Sequence, residues 1–131
     1  YTLLDHERPL RRLFPAAAEQ DVDIVVGGPY NSGVLAGGQH FEYQKAPAPI
    51  IATVERVKAV AERYGVGIKA AALQFALAHP VTRAVIPGAT RPSEVTENVA
   101  ALDETVPEEF WAALRREQLI APDAPVPTDF T

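Results

Sequence analysis

The sequence predicts a parallel α/β fold. Short apolar runs alternate with longer segments in which apolar residues recur at helical spacing, and three of the runs, at 1–4, 23–26 and 83–86, are predicted strands. Alternation of strands and helices is typical of βαβ units, whose parallel strands are joined by helical crossovers. A closed (β/α)8 barrel needs eight strands and about 250 residues. The 131 residues therefore hold about half of one.

The composition indicates a soluble globular chain and excludes several kinds of function. Hydrophobic residues make up 47% and charged residues 22% of the sequence, and the formal net charge is −5. No apolar run approaches the roughly 20 residues of a membrane-spanning helix. Without a block of basic residues, nucleic-acid binding is not expected. The absence of cysteine excludes thiolate metal sites and fits a reducing cytoplasm, and the three histidines show no metal-ligand spacing.

The N-terminal elements are the strand at 1–4 and a helix from Arg8-Pro9 to about Glu19. Since Tyr1 already lies in a predicted strand, we expect the chain to be a piece of a longer protein. Leu10, Leu13 and Phe14 are predicted to share the buried side of the helix. Pro15 interrupts the helical pattern and is expected to shorten or bend it.

The central elements are a buried-type strand, a loop and two helices. The strand at 23–26 ends at Gly27-Gly28-Pro29, and a glycine-rich loop covers 31–47. Apolar spacing predicts a helix from about 49 to 64, which Gly65 ends. The next helix, 69–79, is apolar on nearly all sides and is therefore expected to be buried.

The most informative stretch is the strand–turn–helix junction at 84–98. The strand runs through Pro87-Gly88 and Thr90-Arg91 into a helix over 92–102, with Ser93 a candidate N-cap. Unpaired N–H groups at a helix N-terminus favour anions, so the junction is a candidate phosphate site. A last helix, 107–119, precedes a Pro-rich tail at 121–131 that lacks periodicity.

Four segments resemble, in the same order, the aldo-keto reductase family, and most closely its sugar and pyridoxal dehydrogenase branch. They cover the chain to about residue 120 and are Tyr1-Thr2-Leu3-Leu4-Asp5, Gly28-Pro29-Tyr30-Asn31-Ser32-Gly33, the helix Ala71–Pro80, and Val85-Ile86-Pro87-Gly88-Ala89-Thr90-Arg91-Pro92 through Glu97-Asn98. The resemblance implies that residues 1–120 are the C-terminal half of a (β/α)8 TIM barrel with about three parallel strands, followed by the tail at 121–131.

The resemblance also implies hydride transfer between a nicotinamide cofactor and an aldehyde, aldose or alcohol. The family's catalytic Tyr, Lys, Asp and His lie on earlier strands, so no catalytic residue is assigned here. We expect this chain to bind cofactor, to need the remainder of the barrel, and to be inactive alone. The alternative is a regulatory subunit of the same fold that binds nucleotide without catalysis.

The resemblance assigns nine residues to cofactor binding. Gly28, Tyr30 and Ser32 are expected at the pyrophosphate. Gly88, Ala89, Thr90 and Arg91 are expected around the adenosine ribose. Glu97 and Asn98 are expected to face the adenine.

Three of these residues also have plainer interpretations. On sequence alone Arg91 is more often a surface charge, and Glu97 and Asn98 are more often solvent-facing residues of a helix. The cofactor itself is NAD or NADP. Because Gly88 and Glu94 stand where many relatives carry cations for the 2′-phosphate, and because a carboxylate suits a ribose hydroxyl, NAD is slightly favoured.

Overall fold

The computed structural model describes residues 1–31, 33, 35, 40–41, 44–45 and 47–130. Within these residues helices and short strands follow one another along the chain. None of the described helices has the length and apolarity needed to cross a bilayer. The elements are α1 (Glu7–Arg11), α2 (Leu13–Glu19), β1 (Ile24–Gly27), β2 (His40–Phe41), β3 (Gln44–Lys45), α3 (Ala48–Arg63), α4 (Ile68–Ala78), β4 (Thr82–Ile86), α5 (Pro92–Asp103), α6 (Glu108–Arg116) and a 3₁₀ helix (Pro127–Phe130).

The two longer strands form a parallel sheet. β1 pairs with β4, and Gly27 at the end of β1 lies opposite Ile86 at the end of β4. The carboxyl ends of both strands therefore meet at one edge, where the loops of parallel α/β folds carry binding residues. β2 and β3 form a short antiparallel pair inside the segment predicted to be loop. The parallel α/β prediction is confirmed.

The prediction of a strand at residues 1–4 is wrong. The described residues there form a turn, in which Thr2 and Asp5 exchange backbone hydrogen bonds of 3.0 and 3.3 Å. The Thr2 hydroxyl accepts a further bond from the Asp5 N–H at 3.1 Å. Leu3 is buried in the core. The apolar pattern therefore predicted burial correctly, whereas the local side-chain bond favours a turn.

The first predicted helix divides into α1 and α2 at Arg12, whose φ of −125° is not helical. Pro15 explains the break, because it offers no N–H to the carbonyl of Arg11 and its ring crowds that carbonyl. The expected interruption is confirmed. Leu10 and Phe14 are buried as predicted, but Leu13 is 55% exposed, since it lies about 100° around α2 from Phe14.

The core is centred on α4. The side chains of Leu73 and Phe75 are fully buried there, and Trp111 and Leu114 of α6 belong to the same apolar cluster. Alanines at 70–72 and 76 give α4 a narrow cross-section, which lets its neighbours pack closely. The all-round apolar composition therefore predicted a buried helix correctly.

The segment after α6 packs on the body of the chain. Ala121, Ala124 and Val126 are buried. His6 holds this segment, since its Nε2 accepts the Ala121 N–H at 3.0 Å. The His6 Nδ1 in turn donates to the carbonyls of Thr2 and Leu3, at 3.2 Å each. This pattern requires a neutral imidazole with its proton on Nδ1.

We expect the free energy of unfolding to decrease as the pH falls below about 6.5, the ordinary pKa of histidine. Burial lowers the pKa of His6 in the folded chain, and it also lowers that of His79, whose Nδ1 accepts the Val81 N–H. The unfolded chain therefore binds more protons below this pH, with a loss of up to about 1.4 kcal/mol per group per pH unit. Urea unfolding between pH 8 and 5 measures the slope.

The His6→Phe variant is the control for this pH dependence, because it keeps an aromatic ring but does not titrate. Its unfolding free energy should vary less over the same pH range, and the remaining slope would come from His79 and from the N-terminal amino group, whose pKa burial also lowers. A wild-type stability that rises below pH 6.5 would contradict the assignment of neutral histidines.

Candidate nucleotide-binding site

Two turns follow the paired strands at their shared carboxyl edge. After β1, Gly28 adopts a left-handed φ of +61° in a turn closed by the Asn31 N–H on its carbonyl at 3.0 Å. A side chain at Gly28 would be strained, although none of the described residues apart from its chain neighbours lies within 4 Å of its Cβ position. The Cβ position of Gly88, after β4, is equally open. Both turns therefore leave room for a ligand to approach the backbone.

Tyr30, in the turn after β1, meets Asn98 of α5, although 68 residues separate them. The Tyr30 hydroxyl donates to Asn98 Oδ1 at 2.6 Å, and both side chains are buried. Burial, followed by the negative charge of Glu97, raises the pKa of Tyr30 to about 12. The hydroxyl therefore stays protonated at neutral pH and remains a donor.

Lys69, in the first turn of α4, joins the same group of residues. Its ammonium lies 2.9 Å from Glu97 Oε2 and 6.0 Å from the centre of the Tyr30 ring. The second distance is within the range of a cation–π interaction. We call Tyr30, Lys69, Glu97 and Asn98 the polar cluster.

The junction predicted to bind an anion already holds a carboxylate of the chain. Glu94 Oε2 accepts the backbone N–H of Thr90 at 2.6 Å and the Thr90 hydroxyl at 3.2 Å. Arg91 donates to the other oxygen, Oε1, at 3.2 Å. These contacts, with the Thr90 N–H foremost, lower the pKa of Glu94. The hydrogen-bond donors of the junction therefore already bind one negatively charged group, the Glu94 carboxylate.

The structure brings some of the predicted residues together and leaves others apart. Tyr30 contacts Asn98, and Glu97 joins them through Lys69. Thr90 and Arg91 are exposed and share Glu94, whereas Gly88 and Ala89 are exposed on the open turn. Glu94 and Asn98 lie four residues apart on α5, and therefore on one face. Ser32 lies outside the described residues.

Two plainer interpretations of α5 are wrong. Asn98 is only 6% exposed, so it is not a solvent-facing residue. Ser93 is not the N-cap, because Pro92 occupies the first helical position and Arg91 the cap. Proline suits that position, since its fixed φ is helical and its missing N–H would be unpaired there. Arg91 and Glu97 are exposed, as expected of a surface charge and of a solvent-facing helix residue.

Sequence reasoning missed the role of Lys69. One signal was present, because Lys69 is the one charged residue of α4, in its first turn, and the rest of that helix is apolar except for Gln74. A cation is disfavoured at the positive end of the helix dipole, so a lysine there indicates an anionic partner elsewhere. The identity of that partner, Glu97, depends on the packing of α4 against α5.

The fold and the site define a parallel α/β protein with polar side chains and open turns at the carboxyl edge of its strands. The sequence of residues 1–117 matches the Aldo/keto reductase family. The chain belongs to this family, so the resemblance is confirmed.

Two curated relatives cover almost all of the chain. Pyridoxal 4-dehydrogenase of Microbacterium luteolum is 37% identical over 125 residues, which are 92% of this chain and 36% of the relative. D-threo-aldose 1-dehydrogenase of a Pseudomonas species is 32% identical over 125 residues, or 92% and 38%. The chain thus spans somewhat more than a third of each relative's length.

Solved structures support the fold. The holo form of aldo-keto reductase AKR11C1 from Bacillus halodurans superposes with a TM-score of 0.64 at 26% identity, over 91% of this chain and 40% of that one. The thermostable aldo-keto reductase Tm1743, solved with the inhibitor epalrestat, superposes with a TM-score of 0.62 at 22% identity, over 92% of this chain and 38% of that one. These chains share the TIM-barrel fold, of which this chain forms a part; its described residues hold two parallel strands rather than about three.

Proposed function

We propose that this chain supplies the cofactor-binding part of an oxidoreductase that transfers hydride between a nicotinamide cofactor and an aldehyde, aldose or alcohol. Membership of the Aldo/keto reductase family supports the reaction class. The names of both relatives, a pyridoxal 4-dehydrogenase and an aldose 1-dehydrogenase, support a carbonyl or sugar substrate. The observation that carries the proposal is the polar cluster beside two open turns at one edge of the sheet.

The residues present fit a dinucleotide. Gly28 and Gly88 leave the turn backbone accessible, and a nucleotide needs such close approach to backbone N–H groups. Asn31 Oδ1, beside the first turn, is buried with no hydrogen-bond partner among the described residues. A buried polar atom without a partner is costly, so a ligand donor there would be stabilising. The bound cofactor would donate or accept the hydride.

The chain's own residues would bind and orient the cofactor. Gly28, Tyr30 and Ser32 are proposed for the pyrophosphate, and Glu97 and Asn98 for the adenine. The ribose would lie at the turn after β4, in contact with Gly88, Ala89, Thr90 and Arg91. The proton-transfer residues are proposed to come from the remainder of the barrel.

The exposed apolar side chains of the strands favour a contact with the remainder of the barrel. Ile86 is 62% exposed and Val25 is 55% exposed. Strands of parallel sheets are normally buried on both faces. We propose that further βα units cover these side chains in the whole protein.

A preference for NAD over NADP follows from Glu94. A 2′-phosphate at Thr90 and Arg91 would compete with the Glu94 carboxylate for the same donors. A ribose hydroxyl could instead donate to that carboxylate. Titration of the intact protein with NADH and NADPH, followed by cofactor fluorescence, should show NADH binding at least as tightly.

The Glu94→Gln variant sharpens this test, since its amide oxygen can still accept the Thr90 N–H while the negative charge is lost. We expect its affinity for NADPH to rise about fivefold relative to NADH, the effect of one nearby charge at high dielectric. Glu55→Gln on α3 is the matched control and should change neither the NADH affinity nor the NADPH affinity. A strong wild-type preference for NADPH would contradict the NAD assignment, and no binding of either cofactor would contradict the proposed function.

A further inference from the structure

Lys69 occupies a position where its charge needs compensation. It lies in the first turn of α4, where the helix dipole is positive, and the rest of that helix is apolar except for Gln74. Its side chain is 28% exposed and contacts two residues from other segments, Glu97 and Tyr30. A lysine that stabilised only its own helix would lie in the last turn instead.

Glu97 also lacks a local reason for its orientation. Its side chain is 55% exposed on α5, and an exposed glutamate samples many rotamers. The bond to Lys69 restricts it to the side of α5 that faces Tyr30, next to Asn98 in sequence. The ion pair also reduces the repulsion that a free carboxylate would exert on an anionic dinucleotide.

We propose that Lys69 is a positioning residue for the adenine end of the nucleotide site, an inference that rests on the proposed function. The ammonium holds the Glu97 carboxylate beside the Tyr30–Asn98 pair, where its oxygens can accept hydrogen bonds from the exocyclic amine of adenine. Lys69 acts through Glu97 and does not itself need to touch the ligand. Its contribution should therefore be the same for any ligand that carries adenine.

The test is calorimetric titration of the protein with AMP and with NAD. Lys69→Met approximately keeps the length of the side chain but removes the charge. It should weaken the binding of AMP and the binding of NAD by the same factor, about fivefold. Lys69→Arg should restore binding to within about twofold, because arginine can still pair with Glu97. Lys58→Met, which removes a lysine paired with Glu55 on α3, is the control and should bind like wild type.

A double-mutant cycle separates positioning from a general loss of stability. Glu97→Gln should weaken AMP binding, and adding Lys69→Met to it should have little further effect, because the two residues act as a pair. Unchanged AMP affinity in Lys69→Met, a loss for NAD but not for AMP, or full additivity with Glu97→Gln would overturn the inference. If Lys69→Met does not fold, the AMP titrations of Lys69→Arg and Glu97→Gln test the inference instead. A Glu97→Gln protein that binds AMP as tightly as wild type would overturn it. Failure of the wild-type protein to bind NAD and AMP would instead refute the proposed function.

Discussion

Replacing Phe75 by alanine is expected to lower the free energy of unfolding by about 3–5 kcal/mol, the cost of deleting a buried aromatic ring. Phe75 is fully buried in α4 and stacks on Tyr1, with ring centres 5.2 Å apart and planes inclined by 6°. Its ring also meets His6 edge-on at 5.1 Å. The variant thus leaves a cavity where the N-terminal turn packs on the core. Chemical denaturation followed by circular dichroism measures the loss.

Leu13→Ala is the matched control for Phe75→Ala. Leu13 is also a large apolar residue of a helix, but it lies on the surface, and surface substitutions usually change stability by less than about 0.5 kcal/mol. Equal losses in the two variants would contradict the position of Phe75 at the centre of the core.

The helices and the parallel strands could be predicted from the sequence because local signals define them. Gly65 and Pro80 end the predicted helices close to the ends of α3 and α4. The helices predicted over 92–102 and 107–119 correspond to α5 and α6. In these segments the periodic pattern and the turn residues favour the same structure, so no tertiary contact had to override either.

The segment at residues 1–4 could not be predicted as a turn from its apolar pattern. Four apolar or β-prone residues are compatible with a buried strand and with a buried turn alike. The decision depends on whether a neighbouring strand is present to pair with. It also depends on the local bond between Thr2 and Asp5, which the periodicity does not encode.

The candidate site could be predicted only as a set of positions. Tyr30 and Asn98 were candidates because of the resemblance, but their mutual hydrogen bond depends on how the turn after β1 packs against α5. The burial of Asn98 has the same origin, since its neighbours on α5, Glu97 and Val99, are both exposed. Contacts across elements are a property of the tertiary structure and leave little trace in local sequence.

Several polar groups of the candidate site already have partners within the chain, whereas Asn31 Oδ1 has none among the described residues. The Glu94 carboxylate accepts the N–H of Thr90, and the Asn98 amide oxygen accepts the hydroxyl of Tyr30. Nucleotide binding at Thr90 or Asn98 would therefore exchange existing hydrogen bonds for new ones. Such an exchange has a small net free energy per bond, about 0.5–1.5 kcal/mol. Discrimination between nucleotides then depends on which group replaces each internal partner.

Replacing Asn98 by alanine is expected to weaken the binding of both NADH and NADPH at least about tenfold, which corresponds to about 1.4 kcal/mol. The amide can donate to and accept from a base edge, and alanine can do neither. The variant also leaves the buried Tyr30 hydroxyl without its acceptor, at a cost of about 1–3 kcal/mol in the free energy of unfolding. Cofactor fluorescence and urea unfolding measure the two effects separately.

Two variants distinguish binding from stability at Asn98. Thr96→Ala, on an exposed face of the same helix, should change neither the cofactor affinity nor the unfolding free energy appreciably. Tyr30→Phe removes the hydroxyl that Asn98→Ala would leave without an acceptor. Asn98→Ala should therefore lower the free energy of unfolding less in the Tyr30→Phe background than in the wild-type protein. The loss of cofactor affinity should persist in that double variant, because it depends on the amide. An Asn98→Ala protein that binds both cofactors as tightly as wild type would remove Asn98 from the site and leave the Tyr30–Asn98 bond a feature of the core.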